Sequence, residues 1–350
     1  MVPKTDTMPE EQLRDPAETG AGTDARSLGT RGRRVSRRLR RLGTIQELVL
    51  VVVLIILALF FARLAPNFTD VANISTLLIY LSVLGVLAAG QTLVIIGGGF
   101  DLSDGANLAL SSTVGATMLA AGQSEALATL ATLAVASSVG LINGLFVAVA
   151  KINPFITTLA TYLIANGAAY VYTNSQTVNF PLDKWVAYGR GAVGPIPTPV
   201  LILIGVFIAY FALLRYTTFG RSVYAIGGNS QAARFAGLPV MRNTILIYVL
   251  SGLTAGIGAL IQSSLGSAGS ATFTGTLNLQ AITAVILGGA ALSGGEGGVW
   301  GTLIGVLIMQ TILNGLTLMN VSSFFQDIVT GVVLLLAVLL GVLRGYLARR

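Results

Sequence analysis

The side chains that carry most protein chemistry are nearly missing from this chain. Its 350 residues include no His and no Cys, and Lys occurs only at positions 4, 151 and 184. That composition excludes thiolate and imidazole metal sites, a cysteine nucleophile and a serine-histidine-aspartate triad, so no catalytic residue and no metal ligand is expected. No lysine stands in a G-x-x-x-x-G-K-[ST] setting, and any coupling to ATP has to come from a partner chain. What remains is polar and mostly neutral. GGGFDLSDG, from Gly97 to Gly105, places Asp101, Ser103 and Asp104 behind three glycines. A second glycine-rich run, Gly288 to Gly301, holds Glu296, the only charge between Arg242 and Asp327. Asn153, Thr157 and Thr161 recur at i, i+4 and i+8 and share one face of a helix. Asn166 follows on the same stretch, with Gln91, Asn143, Gln262 and Gln280 in others. Hydroxyls and amides of this kind either bond neighbouring helices or line a path for a neutral polyhydroxylated solute.

The elements that position these groups follow from composition. The chain is 54% apolar and 10% charged, with 42 Gly, against roughly 25% charge in soluble domains. The first 47 residues hold 17 of the 35 charged side chains, so the body is a polytopic, all-α membrane protein. Uncharged runs cover 48–62, 71–100, 105–124, 126–150, 152–182, 191–214, 243–295, 297–326 and 328–343. A bilayer core takes about 20 apolar residues per helix, and the 53-residue run holds two spans separated near Gly266 to Gly275, which predicts about ten transmembrane helices. With the N terminus inside, 18 of 21 basic residues fall on the cytoplasmic side, and only Arg63, Lys184 and Arg190 fall outside. Both termini are therefore expected in the cytoplasm, with Trp185 and Tyr170 to Tyr172 at an outer interfacial belt. Residues 1–44 form a basic tail of disordered composition, 45–345 the membrane body, and 346–350 a cytoplasmic end. The arginines of Arg31 to Arg41 fix topology and meet anionic lipid. A twin-arginine signal is discounted for a chain with nine further spans.

The longest inside loop, 215–243, contains QAARF at Gln231 to Phe235, a short predicted helix. It is entered through Gly227 to Ser230, capped by Asn229 or Ser230, and closed by Gly237 ahead of Pro239. On physics alone such a helix either sits in a cleft of another protein or lies on lipid headgroups. GGGFDLSDG likewise reads in two ways, as a cytoplasmic turn in which Asp101 caps the next helix or as a re-entrant turn lining a gate. The two glycine-rich breaks share V-I-[IL]-G-G, from Val94 and from Val285, which suggests an internal repeat. Spans with essentially no ionisable residue speak against an ion-coupled carrier, and no charged ring or filter supports an ion channel.

GRSVYAIGGNSQAARFAGLPV (Gly220 to Val240) resembles the cytoplasmic loop of ribose-type permease subunits of bacterial ABC importers. GGGFDLSDG resembles that family's GGxDLS segment, with an additional glycine and Phe100. NPFITTLAT (Asn153 to Thr161) and LGGAALSGGEGGVWGT (Leu287 to Thr302) match in the expected order. The resemblance covers roughly residues 45 to 345. It implies a ten-span, type II-like half-transporter in the bacterial inner membrane, not an enzyme, paired with a second copy or a homologous permease. It further implies a cytoplasmic ATPase, which would hold the ATP and Mg that this chain does not bind, and a periplasmic sugar-binding protein. No nucleic acid is expected as partner. By the same resemblance Gly220, Arg221, Gly227, Gly228, Asn229, Ala232, Ala233 and Gly237 form the ATPase-coupling loop. Gln91, Asp101, Ser103, Asn153, Thr157, Thr161, Asn166, Gln280 and Glu296 are the pathway or gate candidates, and a monosaccharide or related polyol is the expected cargo. Branched-chain amino acids or nucleosides are the alternative cargoes within the class.

Overall fold

A computed structural model describes residues 48–348, with side chains placed through Leu343. The basic tail 1–44 lies outside the described residues, as do Arg349 and Arg350. Met1–Leu48 and Val49–Arg350 are separate units, and the account below concerns the second.

The helices in chain order are α1 (Leu48–Leu64), α2 (Val71–Ile96), α3 (Asp104–Ala120), α4 (Glu125–Ala148), α5 (Pro154–Tyr172), α6 (Val186–Gly189), α7 (Thr198–Tyr216), α8 (Thr218–Gly228), α9 (Ser230–Phe235), α10 (Val240–Gly266), α11 (Leu277–Leu287), α12 (Val299–Leu318) and α13 (Ser323–Ala348). Six of them, α2, α4, α7, α10, α12 and α13, are long and apolar enough to cross a membrane. The other four helices in uncharged runs, α1, α3, α5 and α11, fall short by length or composition, so the expected ten spans are met by six on these grounds. For α3 the reason is packing. It carries Asn107, Ser111, Ser112 and Thr113 on a body that is buried almost throughout, where no lipid demands an apolar surface. α13 shows the opposite pattern, presenting Leu335, Leu336, Leu339 and Leu340 outward.

The centre is built from α2, α3, α4 and α10, and small residues let their backbones approach closely. Ala136, Gly140 and Gly144 of α4 stand four residues apart and face Gly252, Tyr248 and Ile245 of α10. A Cβ on Gly140 would overlap the Tyr248 carbonyl, and one on Gly252 would overlap that of Ala136.

Absence of charge did not everywhere mean helix. The uncharged run 152–182 leaves α5 at Tyr172 and continues into a two-residue strand, β1 (Val178–Asn179). A hairpin of β2 (Ala192–Val193) and β3 (Ile196–Pro197) follows. β1 pairs antiparallel with β4 (Ala268–Gly269), in the register Val178 to Gly269. Beside this ladder Trp185, expected at an outer belt, does not face outward but is fully buried with Phe180, Leu119 and Leu260. Its indole donates to Thr129 Oγ1 at 3.0 Å and its backbone N–H to Glu125 Oε2 at 3.0 Å, which satisfies both groups away from water.

Candidate transport and coupling sites

The end of α2 is set by its glycines. Gly98 adopts φ +79°, its N–H bonds the Ile95 carbonyl at 2.9 Å, and Gly99 N–H reaches back to Val94 O at 2.9 Å. These are the two bonds of a Schellman cap. The chain then turns inward. Tyr248 OH of α10 donates to Phe100 O at 3.1 Å, Gln91 Nε2 donates to Asp101 O, and Asn278 Nδ2 donates to Leu102 O at 3.0 Å. Held this way, Asp101 is 2% exposed. Its Oδ1 accepts Ser103 N–H at 2.9 Å and Ser103 Oγ–H at 2.6 Å, an Asx turn; the N-cap position of α3 belongs to Ser103, without a side-chain capping bond.

Three helices complete this cluster. Asn143 of α4 donates to Ser103 Oγ at 2.8 Å. Ser251 of α10 lies 3.2 Å from Asp101 Oδ2 and 3.3 Å from Asp104 Oδ1. One hydroxyl proton can serve only one of these carboxylates at a time. Among the described residues neither aspartate makes an ion pair. Gln91 Oε1, Asn143 Oδ1 and Asp104 Oδ2 are buried without a hydrogen-bond partner. Acceptors therefore outnumber donors in a site from which water is largely excluded. Asp104 and Asn143 stood out in the sequence as polar residues without entering the nine pathway or gate candidates, and Ser251 sits in a run of small residues that carries no signal of its own.

The other pathway candidates are dispersed. Asn153 caps α5, accepting Phe155 N–H at 2.9 Å from an exposed position. Thr161 Oγ1 donates to Thr157 O at 3.0 Å, and the buried Thr157 hydroxyl has no partner. Asn166 Oδ1 accepts from Thr274 at 3.0 Å. Gln280 donates to Thr276 at 3.0 Å, which in turn donates to Asp327 at 3.2 Å. Glu296 is exposed in the turn before α12, where its carbonyl accepts Ala291 N–H at 3.1 Å. Of the nine candidates, the structure brings Gln91, Asp101 and Ser103 together and leaves the other six outside that cluster, with Asn153, Thr157 and Thr161 grouped along α5.

The loop after α7 holds two helices. Thr217 starts α8, accepting Gly220 N–H at 3.0 Å and donating to Leu213 O at 2.6 Å. Asn229 caps α9 by accepting Ala232 N–H at 2.9 Å, and Gly237 closes it at φ +80°. Gly220 and Ala233 are buried, anchoring the loop on the body. Arg221, Gly228, Asn229, Ala232 and Gly237 are exposed, together with Phe235 at 90% exposure. Phe235 was legible only as the last residue of QAARF, yet an aromatic ring so fully displayed on a short helix is a ready contact for another surface. Tyr224 of α8 points back and donates to Gly297 O at 3.0 Å. Burial raises its phenol above the ordinary value, while the Arg215 charge pulls the other way.

A bundle of apolar helices around buried hydroxyls, amides and carboxyls, with one structured loop facing out, defines a multi-pass membrane permease. Residues 73–338 match the family described as branched-chain amino acid transport system, permease component, and the chain belongs to that family. It is 42% identical to the ribose import permease of Bacillus subtilis (strain 168) over 304 residues, 85% of this chain and 93% of that protein. It is 39% identical to the ribose import permease of Escherichia coli (strain K12), over 82% and 91% of the two chains. The L-arabinose ABC transporter permease of Azospirillum brasilense is 34% identical, over 94% and 95%. The chain thus belongs to the permease family of ABC importers that includes these ribose and arabinose permeases.

Proposed function

We propose that this chain is the membrane subunit of an importer that moves a monosaccharide, a pentose, hexose or related polyol, across the bacterial inner membrane. ATP hydrolysis in a separate cytoplasmic subunit drives it, and a periplasmic binding protein delivers the sugar. The body crosses the membrane about ten times with both termini inside, and two copies, or one copy and a homologous permease, enclose the path. The observation that carries this reading is the likeness to ribose and arabinose permeases along more than four-fifths of the chain. The exposed α8–α9 loop supports it, since its small residues and Phe235 suit a cleft on a partner. A cargo without charge also suits a chain whose buried polar groups are mostly hydroxyls and amides. The test is Gly228→Trp combined with Ala232→Arg, both exposed positions. Uptake of radiolabelled D-ribose in cells falls to background while the protein remains inserted; uptake at the unsubstituted level overturns the assignment.

A further inference from the structure

Gly227 is the one glycine of the coupling loop whose surroundings are made of backbone from two other segments. A Cβ there would overlap the Ile96 carbonyl oxygen at the end of α2 and lie 2.6 Å from Gly295 N in the turn before α12. Those two atoms bond each other, Gly295 N–H to Ile96 O at 2.8 Å. The contact is reciprocal. Positions for a Cβ on Gly294 fall 2.7 Å from Gly98 Cα and 2.8 Å from Gly227 O, on Gly295 2.8 Å from Gly228 Cα, and on Gly98 3.3 Å from Gly227 Cα. Gly98, Gly294 and Gly295 all have positive φ, at +79°, +80° and +77°. Tyr224, one turn earlier on α8, adds its bond to Gly297 O at 3.0 Å. Three chain segments far apart in sequence thus meet backbone to backbone at these four glycines, where no side chain intervenes to absorb a displacement.

Resting on the functional reading above, we infer that Gly98, Gly227, Gly294 and Gly295 form a rigid joint that passes movement of the ATPase-docking loop directly to the two glycine-rich turns. One of those turns leads in three residues to Asp101 and its buried cluster. These glycines position rather than dock. A helix that moves against a side-chain layer can slide, whereas a helix seated on bare backbone must carry that backbone with it or break contact. The same geometry explains why Gly228, one residue further, has open space where its Cβ would stand: the joint ends there and the outward surface begins.

The experiment uses the permease purified with its co-expressed ATPase and binding protein, reconstituted in proteoliposomes with D-ribose. Gly98→Ala, Gly294→Ala and Gly227→Ala form a series of rising steric conflict. The ATPase stays bound and keeps hydrolysing, while sugar moved per ATP falls by about tenfold or more toward the tight end of the series. Gly205→Ala and Gly331→Ala, helix positions with open space at the Cβ, leave the ratio unchanged. An unchanged ratio in Gly294→Ala, or loss of the ATPase from that complex, overturns the joint, the latter because the glycines would then belong to the docking surface. Should Gly227→Ala not fold, the cysteine-free chain permits spin labels at Ala225, Ser293 and Lys151, all exposed. Between nucleotide-free and ATP-bound states the 225–293 distance stays within about 2 Å while 225–151 changes; a changing 225–293 distance, or no change in either, overturns the joint. If no ATPase co-purifies with the unsubstituted chain, the functional reading fails and the joint with it.

Discussion

The two glycine-rich breaks begin alike and end differently. After α11, Gly289 takes φ +96°, its N–H bonds Ile286 O at 2.9 Å, and Ala290 N–H reaches Val285 O at 3.2 Å, the same Schellman cap that closes α2. Beyond the caps they part. The first turn carries Asp101 inward to Ser103 and Ser251, whereas the second keeps Ser293 and Glu296 at the surface. The shared V-I-[IL]-G-G therefore specifies how a helix ends. Where the next charge goes depends on what the neighbouring helices offer it.

The largest expected effect tests that contrast in burial. Asp101→Ala removes the acceptor for three hydrogen bonds, and stranded buried donors cost about 1–3 kcal/mol each, so the detergent-solubilised protein loses several kcal/mol in thermal unfolding or fails to fold. Glu296→Gln at the exposed position stays within about 1 kcal/mol. Equal losses would erase the distinction between the two breaks. A smaller effect separates what each cap glycine touches. At Gly288 an added Cβ overlaps the Gly301 backbone and lies 2.6 Å from Thr302 N, so Gly288→Ala costs about 1–3 kcal/mol. At Gly97 the nearest atom is the flexible tip of Ile247 at 2.8 Å, and about 1 kcal/mol of helix propensity favours Ala, so Gly97→Ala is near neutral. Unfolding temperatures of the two variants in the same detergent check the order. The smallest effect concerns the bond that ties α2, which runs into the first break, to α12, which follows the second, Thr92 Oγ1 to Thr302 Oγ1 at 2.7 Å. A double-mutant cycle with Thr92→Val and Thr302→Val gives a coupling of about 0.6 kcal/mol, and additive losses would mean that α2 and α12 are not linked there.

Local signals were legible in the sequence and distant ones were not. Asn229 as cap, QAARF as helix and Gly237 as its stop depend on neighbours within a few residues, and all three appear. The shared V-I-[IL]-G-G was legible only as a recurrence suggesting an internal repeat, and the structure shows that each copy ends its helix in a Schellman cap. The helix α8 went unread, since Gly220, Gly227 and Gly228 weaken it and its support comes from Ile96 and Gly295. Asn153 read as a pathway residue on helical spacing, although Asn-Pro is equally the signature of the helix start that it makes. Asp104 and Ser251 are 147 residues apart, and nothing in either segment announces the other.

The placement of α3 bears on how the protein is made. Its Asp104, Asn107, Ser111 and Ser112 are unsuited to lipid, and Asn107 donates to Ala136 O of α4 at 3.0 Å. Ser251, the partner of Asp104, is translated well over a hundred residues later. A helix of this kind has no stable home in the bilayer on emerging from the ribosome. Its final surroundings are complete only after α10 and the later Ala271–Thr274 and α11 segments, which also pack on it, have been made.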